Sequence, residues 1–295
     1  MMKNLTYKKI DAFTSAHSTG NPAGAVYLER LSDVTAEEMQ KIAQEQKGFV
    51  SEVGFIWEEE DGSFGLRYYS SEREVEFCGH ATIAIMYDLI KCRADLLSQQ
   101  EVIIKTKSAL LHVKNQIPIN DSIFITAPEP TFILKDMSNE ESAAALNIET
   151  QWIDDSLDIA VIETGLKALI APLKSLEKCL HVNPNLDVLN AFCQSIGIDI
   201  VVVFTKECFD AANSYRTRVF APTFGYLEDP ATGSGNSAFG HYLLKRGLWN
   251  GAVMNIEQNA LRENFNTVKL MEEEGRVLFG GKATVKIEGS YYLTL

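Results

Sequence analysis

The chain has 295 residues, room for two ordinary domains, and its 46% hydrophobic and 23% charged content is that of a packed globular protein rather than a disordered one. Forty acids against 27 Lys and Arg leave a net charge of −13, so the mean field repels phosphate backbones and anionic bilayers and counts against nucleic-acid and membrane partners. No run approaches the roughly 20 apolar residues of a membrane span, and the charged start Met-Met-Lys-Asn-Leu has no apolar stretch behind it, so a cytoplasmic protein is expected. Five scattered cysteines (Cys78, Cys92, Cys179, Cys193, Cys208) without a CxxC pair fit reduced thiols, with no disulfide framework or structural zinc.

In chain order, Thr35 followed by Glu38 reads as a capping box opening a helix to about Gln46. Strands are expected at Val50 to Trp57, Leu66 to Tyr69, Val102 to Thr106, Ile123 to Thr126, Ile159 to Glu163, Ile200 to Phe204, Val219 to Phe220 and Val285 to Ile287. A helix follows Gly79, carrying Ala81, Ala84, Ile85, Met86, Leu89 and Ile90 with almost no charge before Asp88, so it must be buried on nearly every side. The stretch from Ala127 to Asn147, with Pro128, Pro130 and a Ser-Asn-Glu-Glu run, reads as the interdomain crossing. Beyond it, Asp187 to Ile196 reads as the counterpart of the first helix, and a second apolar helix follows Gly233 with Ala238, Phe239, Tyr242, Leu243 and Leu244.

These segments form a duplication. Leu66-Arg67-Tyr68-Tyr69, then Glu76-Phe77-Cys78-Gly79-His80-Ala81 and an apolar run, is matched half a chain later by Arg218-Val219-Phe220, then Glu228-Asp229-Pro230-Ala231-Thr232-Gly233-Ser234-Gly235 and another apolar run. Each copy runs strand, polar loop, small-residue turn, helix, and a sheet wrapped around a central helix would cover both helices.

The two glycine turns are candidate anion cups, because a helix N-terminus preceded by small residues exposes unpaired N–H groups and a partial positive charge. In so acidic a chain, backbone amides would supply the positive potential that a small carboxylate needs; the plainer reading is that Gly79 and Gly233 only permit tight packing. His80 begins the first helix, where the dipole favours the neutral imidazole, though such a histidine also serves as a cap or packing residue. Asp229 precedes the second turn beside Glu228, as a carboxylate aimed at the cup or as a turn former. Glu52 sits in the apolar run Phe49-Val50-Ser51-Glu52-Val53-Gly54-Phe55-Ile56. It points to solvent by simple alternation, or into a cavity where desolvation suits it to proton abstraction; the sequence leaves both open. Gly233-Ser234-Gly235-Asn236-Ser237-Ala238 with Glu257 beyond it mimics a dinucleotide fingerprint, but the intervening Glu228 to Thr232 loop and the short remaining chain argue against an oxidoreductase.

Asp11-Ala12-Phe13 with Gly20-Asn21-Pro22-Ala23-Gly24-Ala25-Val26, Ser51-Glu52, Cys78-Gly79-His80-Ala81-Thr82, Glu228-Asp229-Pro230-Ala231-Thr232-Gly233-Ser234, and Gly280-Gly281-Lys282-Ala283 occur in the order seen in the phenazine-biosynthesis PhzF-like family, which the chain resembles over nearly its whole length. That resemblance implies an α+β architecture of two pseudo-symmetric diaminopimelate-epimerase-like domains, each a curled mixed sheet around a central helix, with the active site in the cleft between them. The expected division is residues 1–127 plus 284–295 against 128–283. The resemblance also implies a homodimer and a cofactor-independent isomerase that uses no metal.

By residue-wise carry-over, Glu52 is the general acid/base that moves a proton, and with it a double bond, on a small carboxylate or amino-acid-like metabolite. His80 and Asp229 orient and polarise the substrate, and Gly79, Gly233, Ser234, Gly235 and Asn21 bind it. Diaminopimelate epimerase and proline racemase, distant relatives of that family, place one cysteine at each glycine turn. Here those positions are Cys78 and Thr232, and a threonine hydroxyl cannot replace a thiolate as acid/base near neutral pH. An epimerase using Glu52 with a second group, and a non-catalytic carboxylate binder, are the alternatives.

Overall fold

The computed structural model describes residues 2–16, 18–135 and 137–294. The chain divides into two compact units, one of Met1–Thr14, Thr19–Thr126 and Gly280–Leu295 and another of Ser15–Ser18 and Ala127–Phe279.

The first unit contains β1 (Met2–Ala12), β2 (Asn21–Tyr27), α1 (Ala36–Glu45), β3 (Glu52–Glu58), β4 (Phe64–Ser70), β5 (Glu74–Val75), α2 (Gly79–Cys92), α3 (Ala94–Leu97), β6 (Glu101–Lys105), β7 (Leu110–Asn115), α4 (Ile117–Asn120) and β8 (Ile123–Thr126). The last strand, Ala283–Thr294, pairs antiparallel with β1. From β1 the sheet continues antiparallel to β2, parallel to β3 and antiparallel to β4. β4 then pairs antiparallel with β5 and parallel with β6, which leads antiparallel to β7 and on to β8.

α2 packs against β1, β2, β3, β8 and the last strand, so the sheet curls around it. Nine of its residues are buried, from Ala81 to Asp88 without a break and then Ile90, as an almost uncharged helix requires. The close approach depends on Gly54, where a Cβ would lie 2.3 Å from Ile85 Cδ1. The opposite face of the sheet is covered by α1, whose Met39, Ile42 and Ala43 pack with Val53, Phe55 and Trp57. The expected capping box is present, with Thr35 accepting from the Glu38 amide and Glu38 accepting from the Thr35 amide.

The second unit contains β9 (Thr131–Ile133), α5 (Asn139–Leu146), β10 (Ala160–Glu163), β11 (Lys167–Pro172), α6 (Leu176–His181), α7 (Leu186–Ile196), β12 (Ile200–Thr205), β13 (Tyr215–Phe220), β14 (Glu228–Asp229), α8 (Gly233–Lys245), β15 (Met254–Gln258) and β16 (Asn266–Glu273). Its pairings repeat those of the first unit. β10 and β11 are antiparallel, β11 and β12 parallel, β12 and β13 antiparallel; β13 pairs antiparallel with β14 and parallel with β15, which pairs antiparallel with β16. α8 packs on β10, β11, β12 and β16, as α2 packs in the first unit. β12 is buried at every position. Val201 and Val203 join the cluster that includes Leu189 and Cys193 of α7, while Phe204 packs against Phe239 of α8 with the rings tilted by 45° and their centroids 4.6 Å apart. A strand covered on both faces reads as a continuous apolar run, which is why Ile-Val-Val-Val-Phe shows no alternation.

One expectation changes. The stretch from Ala127 to Asn147 holds β9 and α5, and its Ser-Asn-Glu-Glu run is a capping box, Ser138 accepting from the Glu141 amide. Asp136 in that stretch lies outside the described residues.

Candidate active site

In the first unit, Glu52 opens β3 with its Cα opposite Ala23 of β2 and Ser70 of β4. Alternation does not send it to solvent, because both faces of β3 are covered. Val53, Phe55 and Trp57 face α1, whereas Gly54, on the same side as Glu52, meets Ile85 of α2. Glu52 is therefore carried on the α2 side, one pleat before the glycine that lets the helix approach. Asn21 begins β2 two residues before Ala23, on that same side of the sheet, and is 4% exposed.

The first turn of α2 supplies the neighbours. Cys78 is the N-cap residue, in extended conformation, and Gly79 and His80 open the helix. Thr82 Oγ1 donates to the Cys78 carbonyl at 2.7 Å and lies 2.6 Å from Tyr68 Oη, tying the cap to β4. His80 Nε2 lies 3.4 Å from Glu52 Oε2, and Cys78 Sγ lies 3.4 Å from His80 Nδ1 and 4.0 Å from Nε2. Glu52 Oε2 is shielded from solvent and accepts no hydrogen bond among the described residues. The contact with His80 is thus a close approach without hydrogen-bond geometry.

Burial is the largest influence on His80 and lowers its pKa. The Glu52 charge and a hydrogen bond to the Pro22 backbone oppose that effect without overcoming it. A neutral imidazole beside a carboxylate with an unbonded oxygen can accept or donate one proton at that oxygen and polarise a bound carbonyl or carboxylate. Glu52, Cys78 and His80 each present one ligand-type atom within 4.8 Å of the others.

In the second unit, Glu228 and Asp229 form β14, with Asp229 opposite Val219. The two acids are used differently. Glu228 forms a bidentate pair with buried Arg218, at 2.9 Å from Nε and 2.7 Å from Nη2. Asp229 Oδ1 accepts from the Ala231 amide at 3.1 Å, closing a turn toward α8. Gly233, Ser234 and Gly235 are the first three residues of α8. Gly233 has no room for a side chain, since a Cβ would lie 2.1 Å from the Phe279 ring, so its packing role is real.

Sequence reasoning missed the side chains that hold this turn. Gln258 Oε1 accepts from the Thr232 amide at 3.1 Å and from Asn236 Nδ2 at 2.6 Å, and its Nε2 donates to the Asp229 carbonyl at 2.9 Å. Asn236 Nδ2 also donates to the Thr232 carbonyl, and Asn266 Nδ2 donates to the Pro230 carbonyl at 2.7 Å. All three amide side chains are buried. Their only sequence signal is a polar residue at a strand end or inside the glycine motif, which is common elsewhere.

Glu257, the acid of the apparent dinucleotide fingerprint, is fully buried. It is held by Arg216 Nη1 at 2.8 Å, the amides of Phe209 and Asp210, and Asn213. It has no capacity left for a ribose. An open groove lined by Lys206, Tyr215, Leu248, Trp249 and Met254 contains none of the site residues named above. No helix among the described residues is long and apolar enough to cross a membrane.

The phenazine biosynthesis-like family model, PhzC-PhzF, matches residues 10–289. The uncharacterized isomerase YfhB of Bacillus subtilis is 34% identical, with 98% of this chain and 96% of that protein aligned. The crystal structure of a PhzF-family phenazine biosynthesis protein from Bacillus anthracis superposes with a TM-score of 0.84 at 26% identity, covering 98% of this chain and 99% of the other. A predicted epimerase from Pseudomonas aeruginosa, at 20% identity and TM-score 0.74 over 97% of this chain and 99% of the other, shares the fold. With the duplicated sheet-around-helix architecture and a match over almost the whole chain, the protein belongs to the PhzC-PhzF phenazine biosynthesis-like family and is an enzyme of the isomerase class.

Proposed function

We propose that the protein moves a proton, and with it a double bond, on a small carboxylate or amino-acid-like metabolite by cofactor-independent general acid/base catalysis. The observation that carries this reading is Glu52 Oε2, shielded from water, accepting no hydrogen bond among the described residues and 3.4 Å from His80 Nε2. A carboxylate so placed keeps a lone pair for a substrate proton. His80, kept neutral by burial, polarises the substrate rather than neutralising Glu52. The Gly79 amide and Asn21 bind its carboxylate and stabilise developing negative charge through preorganised donors; Gly233, Ser234 and Gly235, preceded by Asp229, offer the matching amide cup of the second unit.

The test is hydrogen exchange in D2O, read by NMR and mass spectrometry over a panel of small unsaturated, 2-amino and 2-hydroxy carboxylates. The wild type is expected to place deuterium on a carbon other than the one that loses hydrogen, and Glu52→Gln to slow this by about 10²- to 10⁴-fold. Deuterium confined to a single inverted stereocentre would establish the epimerase alternative, which the epimerase-type fold neighbour favours. Carboxylate binding without exchange in either protein would establish a non-catalytic binder and overturn the enzymatic role of Glu52.

A further inference from the structure

We infer that Tyr68 and Thr82 are positioning residues that hold and polarise the Cys78–Gly79 peptide, so that the Gly79 amide is a preorganised donor for the carboxylate of the bound metabolite. The inference rests on the proposed function, in which that amide binds the carboxylate, and adds to it two residues that touch no substrate.

The cap of α2 leaves the first-turn amides open. Thr35, Ser138 and Asn185 fill the corresponding amides of α1, α5 and α7 with side-chain oxygens, whereas the side chain of Cys78 accepts no capping hydrogen bond. Side-chain bonding reaches the other end of the same peptide instead. Cys78 contributes the carbonyl and Gly79 the N–H of one planar, conjugated amide, so a donor at the carbonyl acts on the N–H as well. That carbonyl accepts from the Thr82 amide at 3.0 Å, the ordinary first bond of a helix, and from Thr82 Oγ1 at 2.7 Å.

Thr82 has a single hydroxyl hydrogen, and the Cys78 carbonyl takes it. Tyr68 Oη therefore donates to Thr82 Oγ1 across the 2.6 Å between them. The result is a directed chain from Tyr68 O–H to Thr82 O–H to the carbonyl, in which each bond strengthens the next by about 10–30%. Added donors at the carbonyl draw electron density from the amide nitrogen and leave the Gly79 hydrogen more positive. The chain is also stiff. Tyr68 and Thr82 are fully buried, the Tyr68 backbone lies opposite Gly54 on one side and Val75 on the other, and its ring meets Phe77 edge-on at 6.2 Å between centroids. Burial raises the Tyr68 pKa above the ordinary tyrosine value, which keeps its hydroxyl protonated as the donor. Gly79 and His80 keep partial exposure, so a ligand can reach the turn that the chain supports.

Cys78-Gly79 is the single Cys-Gly pair in the sequence, so protein carrying ¹³C-carbonyl cysteine and ¹⁵N-glycine gives one carbonyl–amide NMR correlation, from this peptide alone. The probe is propionate, titrated into the full-length protein. In the wild type it is expected to move the Gly79 amide proton downfield. Tyr68→Phe is expected to move the Cys78 carbonyl carbon upfield before ligand is added and to weaken propionate binding about 2- to 10-fold, the net contribution of one hydrogen bond. Thr82→Val is expected to do the same, and Thr82→Ser, which keeps the hydroxyl, to match the wild type. Tyr27→Phe controls for stability: it removes another tyrosine hydroxyl bonded to α2, at Asp88, and is expected to leave both readings at their wild-type values. Circular dichroism checks that each variant is folded. A wild-type carbonyl shift and affinity in Tyr68→Phe, or equal losses in Tyr27→Phe, would overturn the relay and leave the proposed function standing. A wild-type correlation that propionate does not move would overturn the carboxylate role of the Gly79 amide and this inference with it, while proton transfer by Glu52 is decided separately by exchange in D2O.

Discussion

Gly54 seats α2 on the sheet, and the seating can be measured. An added Cβ would lie 2.3 Å from Ile85 Cδ1 but 3.8 Å from Ile85 Cγ1, so one terminal methyl is responsible for the clash. Ile85 is fully buried, which leaves that methyl no open space to swing into. Gly54 is not among the residues with positive φ, so alanine fits its backbone, and reduced freedom of the unfolded chain favours alanine by about 0.4–1 kcal/mol. Overpacking opposes this with about 1–3 kcal/mol, giving a net destabilisation of about 1–2 kcal/mol for Gly54→Ala. Ile85→Val removes only the offending methyl and alone costs about 0.5–1.5 kcal/mol. In the double variant the new methyl occupies the space of the lost one, so the two penalties partly cancel, with a coupling of about 1–2 kcal/mol. Urea unfolding of the four proteins, with slopes compared, gives the cycle. A neutral or stabilising Gly54→Ala, or penalties that add within about 0.5 kcal/mol, would refute the argument that this contact sets the helix position.

Three further outcomes are expected. Glu257→Gln leaves Arg216 charged, fully buried and without its counterion, and is expected to lower the unfolding free energy by about 3–5 kcal/mol in urea denaturation. Gln258→Met keeps the side-chain volume but removes the acceptor of the Thr232 amide, one of the partners of Asn236 and a donor to the Asp229 carbonyl. It should cost roughly 1–3 kcal/mol and raise amide exchange within the segment 229–235 above that of α7. Burial holds His80 and His241 below the ordinary histidine pKa. The unfolded chain therefore takes up protons first as pH falls through about 6.5, and stability drops from there toward the lower folded-state values. Urea midpoints measured from about pH 7.5 to about pH 5.5 should fall, with a shallower slope in His80→Gln.

Much of the fold was legible because it rests on local rules. The Thr35 and Glu38 box, the uncharged run after Gly79 and the matching run after Gly233 each announce their element directly. The Ser138 and Glu141 box obeys the same rule, but Pro128 and Pro130 ahead of it give the same stretch the composition of a linker. Of the site, residue types and turns were visible, whereas their supports were not. Gln258, Asn236 and Asn266 act on backbone groups distant in sequence, and no short-range pattern marks a side chain by its partner.

The amino-acid order by itself determined the duplication, the two buried helices with glycine turns, and the acidic balance of the chain, because periodicity, composition and charge are properties of neighbouring residues. Only the tertiary structure decided which way Glu52 faces. β3 is covered by α1 on one side and α2 on the other, and alternation cannot tell two buried faces apart. The same folding brought Cys78, His80 and Glu52 within 4.8 Å and committed Glu228 to Arg218 and Glu257 to Arg216. Those pairings come from strands meeting across the sheet and a helix end meeting a strand end, distances that sequence separation does not encode.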